Sequence, residues 1–132
     1  MPSIYHWESE VRDNEVDLQG VVNNANYFIY MAHARHKHLS SLGIDFQFFH
    51  TEGFDLLLIH TDMTFKDSLK SGDEFIVTSE LKANGRIKFD FYQDVIRKSD
   101  NKVIVSAINT GVCLNRNSGR PTIPEKIQKM LT

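Results

Sequence analysis

One acidic residue, Asp17, lies in a short polar segment just before a predicted long helix. It is followed by Gly20, which lacks a side chain and therefore suits a sharp turn. Residues 27–42 contain no Pro and no Gly, and Gly43 lies where a helix commonly ends. The first amides of a helix have no intrahelical acceptors and attract negative charge. A carboxylate next to them is typical of an acyl-transfer or hydrolysis site, in which a base or nucleophile adjoins oxyanion donors.

Asparagines are concentrated at the predicted helix start. The side chains of Asn23, Asn24 and Asn26 can each accept a hydrogen bond from the free amides of the first turn. Gly20 and these asparagines are equally typical of turns and caps that have no part in chemistry. Asp17 alone is also compatible with a structural loop carboxylate. The residue types therefore indicate a candidate site and leave the structural alternative open.

Length and composition limit the classes of protein to which this chain can belong. The chain has 132 residues, 41% of them hydrophobic, which predicts one globular domain over residues 1–132. A formal net charge of -2 argues against a general nucleic-acid-binding protein. The N-terminus lacks the pattern of a signal peptide, and no run approaches the ~18 apolar residues of a membrane span. The single Cys113 cannot form an internal disulfide and fits a reducing compartment. We therefore expect a soluble cytoplasmic protein.

The order of predicted elements defines the fold class. Strands are predicted at residues 4–12, 54–66, 74–83, 86–98 and 103–115, with short helical segments starting after Asp45 and at residue 125. Asn84-Gly85 predicts a tight hairpin in which both residues tolerate positive φ. Strands joined by tight turns pair antiparallel, and only the long helix is available to cover one face of the sheet. The sequence predicts an α+β fold, an antiparallel sheet of about five strands wrapped around one central helix.

Several short strings occur in an ordered series along the chain: Val11-Arg12, Asp17, Gly20-Val21-Val22, Ala25-Asn26-Tyr27, Ala34-Arg35, Gly43 and the block from Met63 to Asp73. In this order they resemble the hotdog-fold thioesterases of the 4-hydroxybenzoyl-CoA thioesterase type. The resemblance implies a hotdog fold that assembles as a homodimer or homotetramer, with acyl-CoA sites between subunits. It also implies that no metal or redox cofactor takes part.

The resemblance assigns roles to individual residues. Asp17 would be the catalytic carboxylate, and the backbone amide of Asn24 would be the donor to the thioester oxygen, next to the turn at Gly20. Chemically, Asp17 could attack the carbonyl or activate a water, and the sequence does not choose between these routes. The residues expected to contact substrate at this loop are Val21, Val22, Asn26 and Tyr27.

Two departures from the family pattern affect the expected chemistry. Many relatives carry Thr-Asp and Tyr-His where this chain has Val16-Asp17 and Asn23-Asn24, so no histidine side chain is available to assist there. Residues 26–42 contain no acid, which disfavours hotdog branches with a catalytic Glu or Asp on the helix. Val22 occupies the position of the histidine expected in hydratase-like relatives.

Other candidate residues have competing interpretations. Arg86 and Lys88 alternate along a predicted strand and could meet CoA phosphates, although solvated surface charge explains them equally well. His33 and His36 share a helix face, but no Asp, Glu or Cys accompanies them, so no metal site is predicted. Cys113 lies in an apolar strand, which favours inert burial over nucleophilic chemistry.

We expect an acyl-CoA thioesterase that releases a free acid and a thiol. The alternatives are an acyl-ACP thioesterase and a non-catalytic acyl-CoA-binding hotdog protein. The sequence leaves open the acyl length, an aromatic or aliphatic preference, and the choice between CoA and an acyl-carrier protein.

Overall fold

Five antiparallel strands form one sheet in a computed structural model that describes residues 4–131. The predicted single domain, residues 1–132, extends slightly beyond this range at both ends. The strands are β1 (Tyr5–Glu10), β2 (Phe54–Phe65), β3 (Glu74–Asn84), β4 (Lys88–Arg97) and β5 (Lys102–Asn115), in the spatial order β1-β3-β4-β5-β2. The helices are α1 (Asn24–Ser41), α2 (Phe46–Glu52) and α3 (Glu125–Met130), and a 3-10 turn covers Asp13–Glu15. The predicted α+β arrangement, a sheet around one long helix, is confirmed.

The limits of α1 follow from its capping residues. Asn23 is the N-cap, and its side-chain oxygen accepts a hydrogen bond from the Ala25 amide at 2.9 Å. The helix therefore begins at Asn24, within the group of asparagines predicted to lie at its start. It ends near the predicted position, because Gly43 adopts a φ of 80° and stops the helical path. Within residues 4–131 no helix is both long enough and apolar enough to cross a membrane.

The core is divided between the two ends of α1. Around the first half of the helix, Tyr27, Tyr30 and Met31 pack against Phe75 and Val77 of β3. Around its end, a second cluster includes Leu39, Ile44, Phe89, Phe91 and Ile127. Because apolar burial is the main stabilising contribution to folding, these clusters fix both ends of α1 relative to the sheet.

The hairpin between β3 and β4 differs from the prediction. Asn84 stays in β3 and pairs with Lys88, so the connection is the three residues 85–87 rather than a two-residue turn. Gly85 has a φ of 74°, whereas Asn101 is the only non-glycine with positive φ among residues 4–131. The longer turn starts β4 at Lys88 and directs Phe89 and Phe91 into the core. Arg86 and Ile87, predicted to lie in this strand, belong to the turn.

Candidate active site

The loop that carries Asp17 is a closed turn held by its own backbone. The Asp17 amide donates to the Val21 carbonyl at 2.9 Å, and the Gly20 amide donates to the Asp17 carbonyl at 3.0 Å. Gly20 has a φ of 79°, a conformation that is costly for residues with a side chain. The exposed Asp17 carboxylate accepts the Gln19 amide on Oδ1 at 2.9 Å. Within residues 4–131, Oδ2 accepts no hydrogen bond and remains available to a substrate or water.

The next residues attach this loop to the body of the domain. Val22 is 2% exposed, and its amide donates to the Leu69 carbonyl at 2.8 Å. Tyr27 is 0% exposed, and its hydroxyl accepts the Leu69 amide at 2.9 Å. Both were expected to contact substrate, but their side chains lie in the core of the protomer and support the loop instead. Val21 is half-buried and forms a bridge with Lys70.

Glu15 holds the loop against the start of α1, a role that the sequence reasoning missed. Its carbonyl accepts the Asn26 side-chain amide at 2.8 Å, so Asn26 also serves the loop rather than an open pocket. Its carboxylate accepts the Tyr30 hydroxyl at 2.8 Å and the Arg12 side chain at 3.1 Å. Partial burial raises the pKa of Glu15, but the Arg12 backbone amide, the Tyr30 hydroxyl and the Arg12 guanidinium together lower it below its usual value. The three-residue spacing of Arg12 and Glu15 was the sequence signal that could have indicated their contact.

The Asn24 amide, the first of α1, is left without an acceptor within the described part of the chain. The Ala25 amide donates to the Asn23 side chain, and the Asn26 amide donates to the Asn23 carbonyl at 2.9 Å. Among the hydrogen bonds of the described part of the chain, the Asn24 amide donates none. The positive end of the helix dipole strengthens such a donor towards a developing oxyanion. The loop therefore combines an exposed carboxylate with an unoccupied helix-terminal amide.

Arg86 and Lys88 lie at the opposite end of the sheet from this loop. The loop joins the sheet near the start of β3, because the Val11 amide donates to the Asp73 carbonyl. Arg86 follows the far end of β3, an eleven-residue strand of roughly 30 Å. Within one protomer the structure therefore does not bring these cations to Asp17.

The comparisons with known proteins agree with this architecture. The model of the thioesterase-like superfamily matches residues 11–131. The chain belongs to this family. The predicted hotdog-fold thioesterase resemblance is thereby confirmed, and the enzyme class is that of a thioester hydrolase.

Individual thioesterase-like relatives show the extent of the similarity. The chain is 33% identical over 129 residues to the acyl-acyl carrier protein thioesterase ATL3 of Arabidopsis thaliana, covering 97% of this chain and 67% of that protein. It is 30% identical over 131 residues to a putative esterase of Aquifex aeolicus, covering 99% and 98%. The crystal structure of a 1,4-dihydroxy-2-naphthoyl-CoA thioesterase from Synechocystis superimposes with a TM-score of 0.89 at 20% identity, covering 98% and 96%. The chain thus spans about two thirds of the plant relative's length.

A cavity of about 630 Å³ lies at the other end of α1 from Asp17. Its walls come from the second half of α1, from α2 and from the start of β2, and they include His33, His36, Leu39, Phe46, Phe49 and Leu57. Residues 4–131 contain no group of three or more His, Cys, Asp or Glu side chains that could hold a metal ion. The cavity was not predicted from the sequence, because α2, α1 and β2 meet there only in the tertiary structure.

Proposed function

We propose that this thioesterase-like protein hydrolyses an acyl-CoA thioester to a free acid and CoA. The observation that supports the proposal most directly is the exposed Asp17 carboxylate in the loop that leads to the free Asn24 amide at the start of α1. Asp17 would act either as a general base on water or as a nucleophile on the thioester carbonyl. The Asn24 amide would stabilise the oxyanion that forms on either route. The reaction draws on no metal or redox cofactor.

Supporting residues attach the segment before Asp17 to the start of α1. Glu15 and Asn26 connect the loop to the helix start through the 2.8 Å contact of the Asn26 side chain with the Glu15 carbonyl. The helix-terminal amide needs this fixed orientation, because preorganised donors stabilise an oxyanion without further rearrangement. Gly20 allows the turn that exposes Asp17. These interactions supply geometry, while Asp17 and Asn24 would supply the chemistry.

A second candidate substrate carries its acyl group on an acyl-carrier protein. The Arabidopsis relative is named for that substrate, whereas the Synechocystis structure is named as a CoA thioesterase. CoA and acyl-carrier protein both present the acyl group as a thioester with the same carbonyl, so the catalytic proposal applies to either substrate. We favour CoA, and we retain the cytoplasmic location as a prediction.

We also propose that the protein self-associates through β2. This strand is twelve residues long, pairs only with β5 and forms one edge of the sheet. It contains no Lys, Arg or Pro, the residues that commonly protect an edge, and its Leu57, Leu58 and Ile59 are 42%, 46% and 49% exposed. Antiparallel pairing with a second copy would satisfy the edge groups and cover these side chains.

Such pairing would complete the site from two protomers. The start of α1 lies at the end of β2, where the Tyr27 and Phe65 ring centroids are 6.0 Å apart. The cavity and Lys88 lie towards the start of β2, because Lys88 pairs with Val112 and Val112 pairs with Leu57. A two-fold axis across β2 exchanges these ends. It would bring Arg86 and Lys88 of one copy towards Asp17 of its partner subunit.

The catalytic proposal is tested with matched acyl groups on CoA and on acyl-carrier protein, with free thiol as the readout. Hydrolysis of the CoA thioesters supports it, and faster hydrolysis of the carrier-protein thioesters would favour the second candidate. Tight acyl-CoA binding without turnover would indicate the non-catalytic alternative.

The assembly proposal is tested with Ile59→Lys, which places a charge on the β2 edge. Light scattering should report a monomer, and thioester turnover should fall with it. Ile4→Lys is the control, because Ile4 is 53% exposed beside the other edge strand. A wild-type protein that is monomeric at micromolar concentration would contradict the proposal.

A further inference from the structure

We infer that Tyr27 is a positioning residue for catalysis: the hydrogen bond between its hydroxyl and Leu69 sets the orientation of the Asn24 amide. The inference rests on the proposed function, in which that amide stabilises the oxyanion formed from the thioester carbonyl. It assigns Tyr27 a role in turnover that requires no contact with the substrate.

Leu69 holds both ends of the short segment that contains Asn24. The Leu69 carbonyl accepts the Val22 amide at 2.8 Å, and the Leu69 amide donates to the Tyr27 hydroxyl at 2.9 Å. Asn24 lies two residues after the first of these contacts and three residues before the second. At its other side Val22 continues into the turn that carries Asp17. The Tyr27 hydroxyl therefore ties the first turn of α1 to the same residue that holds the Asp17 loop.

The chain around Leu69 is fixed without the Tyr27 hydroxyl. Leu69 itself is 0% exposed. Two residues earlier, the Asp67 carboxylate lies 2.8 Å from the Lys102 ammonium, and the Asp67 amide donates to the Ile104 carbonyl at 3.2 Å. The hydrogen bond from Lys102 lowers the pKa of the Asp67 carboxyl and keeps this carboxyl ionised. Loss of the Tyr27 hydrogen bond therefore frees the start of α1, while the chain at Leu69 stays in place.

The Tyr27 ring and its hydroxyl contribute differently to the position of the helix start. The ring is 0% exposed, and its centroid lies 6.0 Å from the ring centroids of both Tyr30 and Phe65. Apolar packing is non-directional, whereas a hydrogen bond depends on its angle. The ring thus keeps the helix start in the core, and the hydroxyl fixes its rotation relative to Leu69. Burial raises the pKa of Tyr27, so the hydroxyl stays protonated near neutral pH.

The rotation of the helix start matters because it aims the Asn24 amide. This amide donates no hydrogen bond within the described residues, so its direction follows from the peptide plane at the start of α1. A donor stabilises an oxyanion only when it points to the position that the oxyanion occupies. Misalignment weakens a hydrogen bond steeply. Because the charge develops in the transition state, a misaligned amide lowers kcat rather than substrate affinity.

The first experiment compares Tyr27→Phe with the wild type, because phenylalanine keeps the ring and removes only the hydroxyl. We expect kcat to fall about 10-fold, a part of the roughly 10²–10³-fold that one oxyanion donor contributes, with KM within about twofold of wild type. The factor should be the same at every pH between about 6 and 8, because a protonated hydroxyl transfers no proton there. A raised KM with unchanged kcat, or an altered shape of the pH profile, would overturn the inference.

Ser79→Ala is the matched control, because it also removes one buried hydroxyl. Ser79 is 0% exposed, and its oxygen lies 2.9 Å from the His38 ring at the other end of α1. Both variants should melt roughly 5–15 °C below the wild type. Ser79→Ala should nevertheless keep kcat within about twofold of wild type. Equal falls in kcat would show that lost stability rather than orientation lowers turnover, and the inference would fail.

The second experiment removes the oxyanion donor itself with Asn24→Pro. Asn24 is the first residue of α1, where proline is favoured, and the ψ of 137° at Asn23 suits a residue that precedes proline. The substitution breaks no hydrogen bond that the described chain makes, so Tm should stay near that of the wild type. We expect kcat to fall at least ~100-fold. Adding Tyr27→Phe should lower kcat by no more than about a further twofold, because the amide that Tyr27 positions is already absent.

This double-mutant cycle separates the inference from the catalytic proposal. Unchanged turnover in Asn24→Pro would refute the amide as the oxyanion donor, and the role of Tyr27 would fail with it. A large fall in Asn24→Pro followed by a further ~10-fold fall in the double variant would refute only the positioning role. In that case the Tyr27 hydroxyl would act on turnover by a route independent of the Asn24 amide.

Discussion

Asp17→Asn is the substitution that most directly tests the catalytic loop. The amide keeps the size of the side chain and an oxygen that can accept the Gln19 amide, now 2.9 Å from Oδ1. It supplies neither an adequate base nor an oxygen nucleophile. We therefore expect kcat to fall at least ~100-fold, the lower end for the loss of a positioned proton-transfer group. This corresponds to about 2.7 kcal/mol of lost transition-state stabilisation.

The same substitution should barely affect stability. Asp17 is exposed, and its side chain contributes one hydrogen bond that asparagine can preserve. A net change below ~1 kcal/mol in the free energy of unfolding is expected for weakening one such bond. At this chain length it shifts Tm by at most roughly 5 °C. Activity and stability should therefore separate clearly.

The assay pairs thiol release under saturating acyl-CoA with thermal melting of the same samples. Asp13→Asn is the control, since it makes the same change in the adjoining 3-10 turn, where the Asp13 carboxylate accepts the Ser71 hydroxyl. It should keep turnover within about twofold of wild type. If Asp17→Asn retains more than about a tenth of wild-type turnover, the carboxylate is not the catalyst.

Three further predictions address other parts of the molecule. Replacing both Arg86 and Lys88 with Ala should raise KM for CoA thioesters and leave kcat nearly unchanged, because phosphate contacts persist in the transition state; an equal effect on a pantetheine thioester would contradict this. Burial lowers the pKa of His38 below its usual value of 6.5, so the free energy of unfolding should decrease as pH falls below about 6.5. Denaturant titrations of His38→Gln should show a smaller decrease in this free energy over the same pH range. Burial raises the pKa of the Cys113 thiol to about 12, so a disulfide reagent should label it only after unfolding; rapid labelling of the native protein would contradict its burial.

The sequence determined the elements whose signals are local. Asp45 caps α2 where a short helical segment was predicted to start, and Gly53 ends that helix in a left-handed conformation. Both signals act within a few residues of chain. Gly43 likewise marked the end of α1. The alternation of apolar residues predicted the strands and, with one long helix to cover them, a sheet around that helix; the family resemblance implied that this arrangement is the hotdog fold. The catalytic candidates Asp17 and Asn24 are also close in sequence, so proposing them together required no tertiary information.

Only the tertiary structure decided what depends on contacts between distant segments. Asn84-Gly85 is a strong signal for a two-residue turn. In the structure the turn is longer: Asn84 pairs with Lys88, Phe89 lies in the core, and Arg86 belongs to the turn rather than to the strand. Tyr27 was a candidate substrate contact until packing against the Leu69 segment placed it fully inside. The cavity beside the second half of α1 has no sequence motif, because α1, α2 and β2 each contribute a wall.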